Sequence, residues 1–448
     1  MKPTNINDVI LNLKFNRFHL QILLCCIFII ICDGYDMFVL GAILPSLMED
    51  LNITALQGGM LSSYALIGMM LGALIFGPTA DKIGRKKVIV ICTIIFSLLT
   101  FTSGFASSMF SFGFQRFLAG VGLGGVMPNL IAIITEYSPK KLRSTLVAVM
   151  FSGHAMGGIV AAVGAMYLLP TEYSWRAVLW LGLIPLILMP ILYKLLPESL
   201  AFYVLKGQKN KLVSVLNKLD KSRVYDTNQE YVLGEEDKKS EDYNKSPIKK
   251  LFLNKRGLST FMFWIAYFMC LLVMYGLSTW LPKIMGNAGY EMGSSLAFLI
   301  VLNVGAVIGA IGGGQLADKL GSRKVLVVFF IIAFISLISL SFKPNMVLLY
   351  ILIALAGGTT TGTQIVMNAY VSQYYPTEIR STGVGWALGI GRIGGIIGPT
   401  LGGMLLNAQL SLQINFIAFA IPCIIAGLAI WFVQDKFSQL TIEKNQVA

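Results

Sequence analysis

Charge is what this chain has least of. Asp, Glu, Lys and Arg make up only 13% of its 448 residues, about half the share of an ordinary soluble domain. Apolar residues reach 56%, and the mean hydropathy is +0.73. A soluble globule of this size would leave large apolar patches in water. That argues against a cytosolic enzyme and a secreted scaffold. The six cysteines fall in apolar segments without C-x-x-C spacing. They form neither a disulfide framework nor a zinc site, and read as small buried hydrophobes. No G-x-x-x-x-G-K-[ST] loop occurs, so ATP is not the energy source. No enzyme site, cofactor or metal is expected. Residues 1–18 are mixed polar and basic, with no short apolar core and small-residue cleavage site after them, so no cleaved leader is expected. The net charge of +13 does not imply nucleic acid. The basic residues sit in short clusters between apolar runs, as in a membrane protein that orients itself by charge.

Those runs are the dominant feature. Stretches long enough to cross hydrocarbon, roughly 20 residues, fall at 19–46, 56–79, 87–107, 110–137, 144–169, 174–196, 258–286, 294–317, 324–342, 346–374, 381–408 and 412–434. They are too long for strands and do not alternate. The fold expected is all-α and polytopic, with twelve spanning helices in a lipid bilayer. Residues 197–256 break the pattern, with thirteen Lys or Arg and nine acidic residues. They read as a linker between six-helix bundles at 1–196 and 257–448. An amphipathic helix near Leu205–Leu219 is expected to lie on the membrane surface, and the charged stretch Glu235–Asp242 to be mobile. With the N-terminus inside, the inner segments other than the linker carry sixteen Lys or Arg, and the outer side only Arg176, Lys283 and Lys343. Both termini and the linker are therefore expected in the cytoplasm.

The two halves match at one offset, 237 residues. Ala80-Asp81-Lys82-Ile83-Gly84 aligns with Ala317-Asp318-Lys319-Leu320-Gly321. Leu118-Ala119-Gly120 aligns with Leu355-Ala356-Gly357. Tyr137, Pro139 and Arg143 align with Tyr374, Pro376 and Arg380, and Gly68 and Gly72 with Gly305 and Gly309. An even number of helices per half gives both halves the same topology, related by an axis along the membrane normal. Such halves can rock about a central cavity.

The stretch Gly77-Pro-Thr-Ala-Asp81-Lys-Ile-Gly84-Arg85-Lys-Lys87 resembles the loop between helices 2 and 3 of the major facilitator superfamily, with a degenerate copy at 313–324. Within that superfamily, Asp33-Gly34-Tyr35-Asp36, the run from Arg116 to Gly125 and Glu136-Tyr-Ser-Pro139 resemble the aromatic acid:proton symporters, the benzoate and hydroxybenzoate uptake family. The resemblance implies a monomeric symporter in a bacterial inner membrane, with a small aromatic carboxylate and protons as its partners. It also implies that Arg116 is required.

Charges inside spans need a reason, since each costs about 2.5–3.5 kcal/mol at the bilayer centre. Asp33 and Asp36, three apart on one face of the first span, are candidate proton carriers, with His154 a third candidate. Arg116 and Arg392 belong to opposite halves. Each presents a planar fork suited to a carboxylate, and Arg392 is favoured for direct substrate contact. Asp33 and Asp36 are both open as partners of Arg116. Tyr35, Tyr267, Tyr275 and Trp386 are among the aromatics able to stack on a ring, and Gln364 and Asn368 are able to bond a ring substituent. Asp81, Arg85, Glu136, Arg143, Asp318, Glu378 and Arg380 read as gate ion pairs, weaker in the second half, where Ser322 replaces Arg85.

Three readings stay open beside benzoate uptake. One keeps the mechanism with nicotinate, hydroxybenzoate or muconate as substrate. Another is proton-driven drug efflux, whose antiporters carry G-x-x-x-G-P-x-x-G-G in helix 5. Here that pattern lies at Gly394–Gly403, in the eleventh span, which counts against efflux. The third is a non-transporting receptor, for which no signalling domain is present.

Overall fold

A backbone crossing hydrocarbon has no water to bond, so a long apolar run must satisfy its own amides as a helix. The computed structural model of the chain describes residues 4–438, apart from 12, 140–141, 221–222 and 233–246. The side chains of residues 7, 8, 11, 144, 247, 377, 378 and 381 also lie outside the described set, as does the expected mobile stretch Glu235–Asp242. Among the described residues, twelve helices are long and apolar enough to span a bilayer. The first half contributes α1 (Arg17–Asp50), α2 (Ala55–Ile83), α3 (Arg85–Ser103), α4 (Met109–Tyr137), α5 (Arg143–Leu168) and α6 (Ser174–Leu195). The second contributes α7 (Gly257–Asn287), α8 (Met292–Leu320), α9 (Ser322–Leu340), α10 (Met346–Tyr374), α11 (Thr377–Asn407) and α12 (Leu412–Trp431).

Local chemistry sets the ends. Asn16, Thr54, Ser108, Asn345 and Ser411 cap α1, α2, α4, α10 and α12 by accepting from amides of the first turn. A single glycine joins α2 to α3 and α8 to α9: Gly84 at φ 103 and Gly321 at φ 90. Only glycine enters that region without strain. The repeat is visible in the fold. Every bound of α2, α3 and α4 precedes the matching bound of α8, α9 and α10 by 237 residues.

Glycines let helices approach within each half. A Cβ at Gly68 would lie 2.0 Å from the Phe117 carbonyl oxygen, and one at Gly72 equally close to that of Val121. Gly305 and Gly309 repeat this against Ala354 and Gly358. These pairs fasten α2 to α4 and α8 to α10, so their role is static packing.

The halves meet along α2 with α11, α5 with α8 and α1 with α7. The contacts gather toward the end opposite the linker, here the far end. A Cβ at Gly59 would lie 2.4 Å from the Pro399 carbonyl oxygen, one at Gly403 2.5 Å from that of Ala55, and one at Gly41 2.2 Å from that of Ser278. Ser63 donates to the Ile396 carbonyl (2.6 Å) and lies 2.8 Å from the Thr400 hydroxyl. Toward the linker end, the glycines of these helices make no such approach to the other half. At Gly77 of α2, Gly312 and Gly314 of α8, and Gly385 and Gly389 of α11, an added Cβ would meet nothing within 4 Å.

The first part of the linker packs on the first half, while Leu251 and Arg256 at its end join the second. Its amphipathic helix, Lys209–Leu219, buries Leu212, Val213, Val215, Leu216 and Leu219 in one core with Ile6, Ile10 and Leu196. The stripe expected to face the membrane surface is turned to protein instead: Asn16 donates to the Leu219 carbonyl at 2.5 Å, and Thr4–Asn5 pairs in parallel with Tyr231–Val232. All six cysteines are buried and unpaired.

Candidate functional site

Asp33 and Asp36 share α1 but have different surroundings. Asp36 is 1% exposed and clamped by Arg116 of α4, also 1% exposed. Arg116 Nη1 donates to Oδ1 at 2.7 Å and Nη2 to Oδ2 at 3.0 Å. Nη2 also reaches the Asp36 carbonyl at 2.9 Å. The Thr100 hydroxyl donates to Oδ1 and accepts from Nη1. This bidentate, charge-assisted pair satisfies the Asp36 carboxylate and both terminal nitrogens of Arg116. It selects Asp36 from the two partners the sequence left open for Arg116. Both terminal nitrogens of Arg116 are occupied, so the expected direct contact with substrate is not available in this state.

Asp33 is fully buried, and neither carboxylate oxygen has a hydrogen-bond partner among the described residues. His154 Nε2 of α5 lies 3.6 Å from Asp33 Oδ2, and it too is unpartnered. The His154 ring packs edge-on to Phe38 at 5.1 Å. Glycine makes this meeting possible. A Cβ at Gly34 would lie 2.1 Å from the His154 carbonyl oxygen, and one at Gly157 2.3 Å from that of Ile31. The glycine between the two aspartates is where α5 crosses α1. That spacing was present in the sequence, but its use was not evident there.

Arg392 stands at mid-span of α11, partly buried. Among the described residues its hydrogen bonding is one long contact, Nη1 to the Met69 carbonyl at 3.4 Å, across to the first half. Tyr275 of α7 packs onto Gly395 of α11. On α10, Asn368 accepts from the Tyr267 hydroxyl at 2.6 Å, and Gln364 stands one turn earlier on the same face.

Two expected binding aromatics are corrected. The Tyr35 hydroxyl donates to the Val178 carbonyl of α6, which turns the ring into the first half. There it lines an apolar pocket of about 230 Å³ with Phe28, Phe96 and Ile184. Trp386 shares a helix face with Ile393, Ile397 and Met404, all at least 42% exposed, and stacks on Trp264 at 5.8 Å. Arg392 lies roughly 120° around the helix from that stripe, at about 100° per residue.

The expected gate pairs are also redistributed. Arg85 pairs with Glu136 at 2.9 Å, but both belong to the first half. Glu136 further accepts from the Ser199 hydroxyl (3.0 Å) and the Ala201 amide (2.6 Å), the start of the linker helix Leu200–Leu205. The pair therefore ties α3 and α4 to the linker and not one half to the other. Gln373 stands 237 residues after Glu136, as Ser322 stands after Arg85, so the second copy has lost both members together. Its own tie is Arg323 to Asp435 at 3.3 Å, and Asp435 is the repeat counterpart of Glu198. Asp81, Arg143, Asp318 and Arg380 are exposed and make no ion pair among the described residues. The Glu378 side chain lies outside the described set.

The sequence profile of the Major Facilitator Superfamily matches residues 26–342 and 303–446. The chain belongs to this superfamily. Within it, the benzoate transport protein of Acinetobacter baylyi is 43% identical over 97% of this chain and 94% of its own. The gallate transporter of Pseudomonas putida is 34% identical over 96% and 94%. Among solved structures, the inward-open xylose transporter XylE of E. coli superposes with a TM-score of 0.74 at 16% identity, over 95% of this chain and 99% of that one. The chain is a multi-pass membrane transporter of the superfamily's benzoate and hydroxybenzoate branch, and not an enzyme. The superfamily fold gives the glycine–proline stretch of α11 its place. Gly394 and Gly398 seat on α7, and Pro399 and Gly403 on α2, so this stretch forms the seam that closes the far end.

Proposed function

We propose that the protein is a proton-coupled symporter importing a small aromatic carboxylate, benzoate or a close relative, across the bacterial inner membrane by alternating access. One observation carries the reading. At mid-span, where the joined halves begin to part, an unpartnered buried acid of α1 and an under-bonded guanidinium of α11 stand at the same depth. A carboxylate with no partner at that depth is costly, so Asp33 is the group with reason to hold the transported proton, and His154 is placed to exchange it. Arg392 has most of its fork free for an anion. The substrate carboxylate and Asp33 compete for the same positive charge. Binding of the anion takes up that charge, and the proton is carried on Asp33. The Asp36–Arg116 pair holds α1 against α4 and gives this exchange a fixed frame.

The substrate class rests on the names of the relatives, which include transporters of benzoate, gallate and 4-hydroxybenzoate. The Tyr267–Asn368 pair, with Gln364 on the same face, offers polar atoms to a ring hydroxyl, which favours a hydroxybenzoate as the second reading. With both termini and the linker in the cytoplasm, as the loop charges imply, the far end faces outward and the conformation is inward-facing. Residues 1–196 and 257–448 then move as the two rocking bodies, with 197–256 between them.

Purified protein in liposomes tests this. Labelled benzoate uptake should rise with an inward proton gradient and collapse with an uncoupler. Uptake indifferent to the gradient rejects coupling, and the absence of uptake of any aromatic acid rejects the substrate class.

A further inference from the structure

Beside the Asp36–Arg116 pair, between the two halves, lies a narrow void with room for about 10 Å³ of water centre. Roughly that volume holds one water. Ser62 and Arg116 line it from the first half, Tyr275 and Thr279 from α7 of the second, and Pro399 of α11 borders it. Two polar atoms of these lining residues are unanswered. Arg116 is 1% exposed and Ser62 8%, yet Arg116 Nε and Ser62 Oγ have no hydrogen-bond partner among the described residues. Leaving a buried donor unbonded costs about 1–3 kcal/mol. The guanidinium Nε can only donate, so the occupant must accept. The hydroxyls of Ser62, Tyr275 and Thr279 both donate and accept, so it can also donate. A cation is repelled by Arg116, and a carboxylate or phosphate is too large.

We propose that this void is a site for one ordered water. It accepts from Arg116 Nε and exchanges hydrogen bonds with hydroxyls of Ser62 and of Tyr275 or Thr279. It thereby fastens the Asp36–Arg116 pair of the first half to α7 of the second while the far end is closed. Opening the far end carries Tyr275 and Thr279 away and leaves Arg116 Nε to solvent.

The full-length protein tests this in two ways. A cryo-EM map of the far-end-closed state that resolves waters should show a peak about 2.7–3.2 Å from Arg116 Nε. A featureless void overturns the proposal. Spin labels at Glu49→Cys and Asn407→Cys, exposed positions on opposite halves at the far end, report the closed and open populations by their separation. Thr279→Val combined with Ser62→Ala keeps the shape and removes two hydroxyls, and should lower the closed-to-open ratio about threefold or more. Thr279→Ser keeps its hydroxyl and should leave the ratio within about twofold of the parent. Equal ratios in all three proteins overturn the proposal, and thermal melting checks that each variant is folded.

Discussion

Two aspartates three positions apart behave as different residues because their neighbours differ. Asp36 is a structural anion. Removing only its partner, as in Arg116→Met, strands a buried charge and should cost about 3–5 kcal/mol, read as a lower melting temperature in detergent. The double variant Asp36→Leu with Arg116→Met removes both charges and should recover most of that loss. Asp33 is the opposite case. Its oxygens bond nothing among the described residues, so Asp33→Asn should melt no lower than the parent. Under the proposed function it should abolish accumulation of benzoate against its gradient while leaving exchange of labelled for unlabelled substrate. Loss of folding in Asp33→Asn would contradict this division of labour. The sequence identified both acids, both arginines and His154, because intramembrane charge is rare enough to mark itself. It could not apportion them, since which carboxylate meets Arg116 depends on where Thr100 of α3 stands.

Helices were legible from apolar length, and so was their pairing into two copies, because one offset ran through every matched segment. Facing was less legible. Tyr35 and Trp386 were expected in the cavity, but an aromatic in a spanning helix fits protein interior, cavity and lipid alike. Only the crossing partners of α1 and α11 decide. Glycine is the device that sets those crossings, and two glycines should answer the same substitution differently. Gly34→Ala places a methyl 2.1 Å from the His154 carbonyl oxygen inside one half, an overpacking that should cost about 1–3 kcal/mol in melting. Gly59→Ala places one 2.4 Å from the Pro399 carbonyl oxygen of the other half. It clashes only while the far end is shut. Stability should hold, and the population should move toward the far-end-open state, read by label distances across that end.

The whole molecule is joined at one end and parted at the other, and the parted end carries the linker. Gly77→Cys and Gly385→Cys lie where the halves separate. A membrane-impermeant thiol reagent should modify both in inside-out vesicles and neither in right-side-out ones. Gly59→Cys, like Gly59→Ala, clashes across the closed seam and should label from outside as the far end opens. Labelling of Gly77→Cys from outside would reverse the orientation proposed from loop charge. The native thiols make such a survey straightforward. Each of the six is shielded from solvent, and inaccessible thiols are inert toward aqueous reagents. The wild-type protein is therefore a silent background, against which a probe on a single engineered site reports that site alone, with no prior cysteine-stripping of the chain.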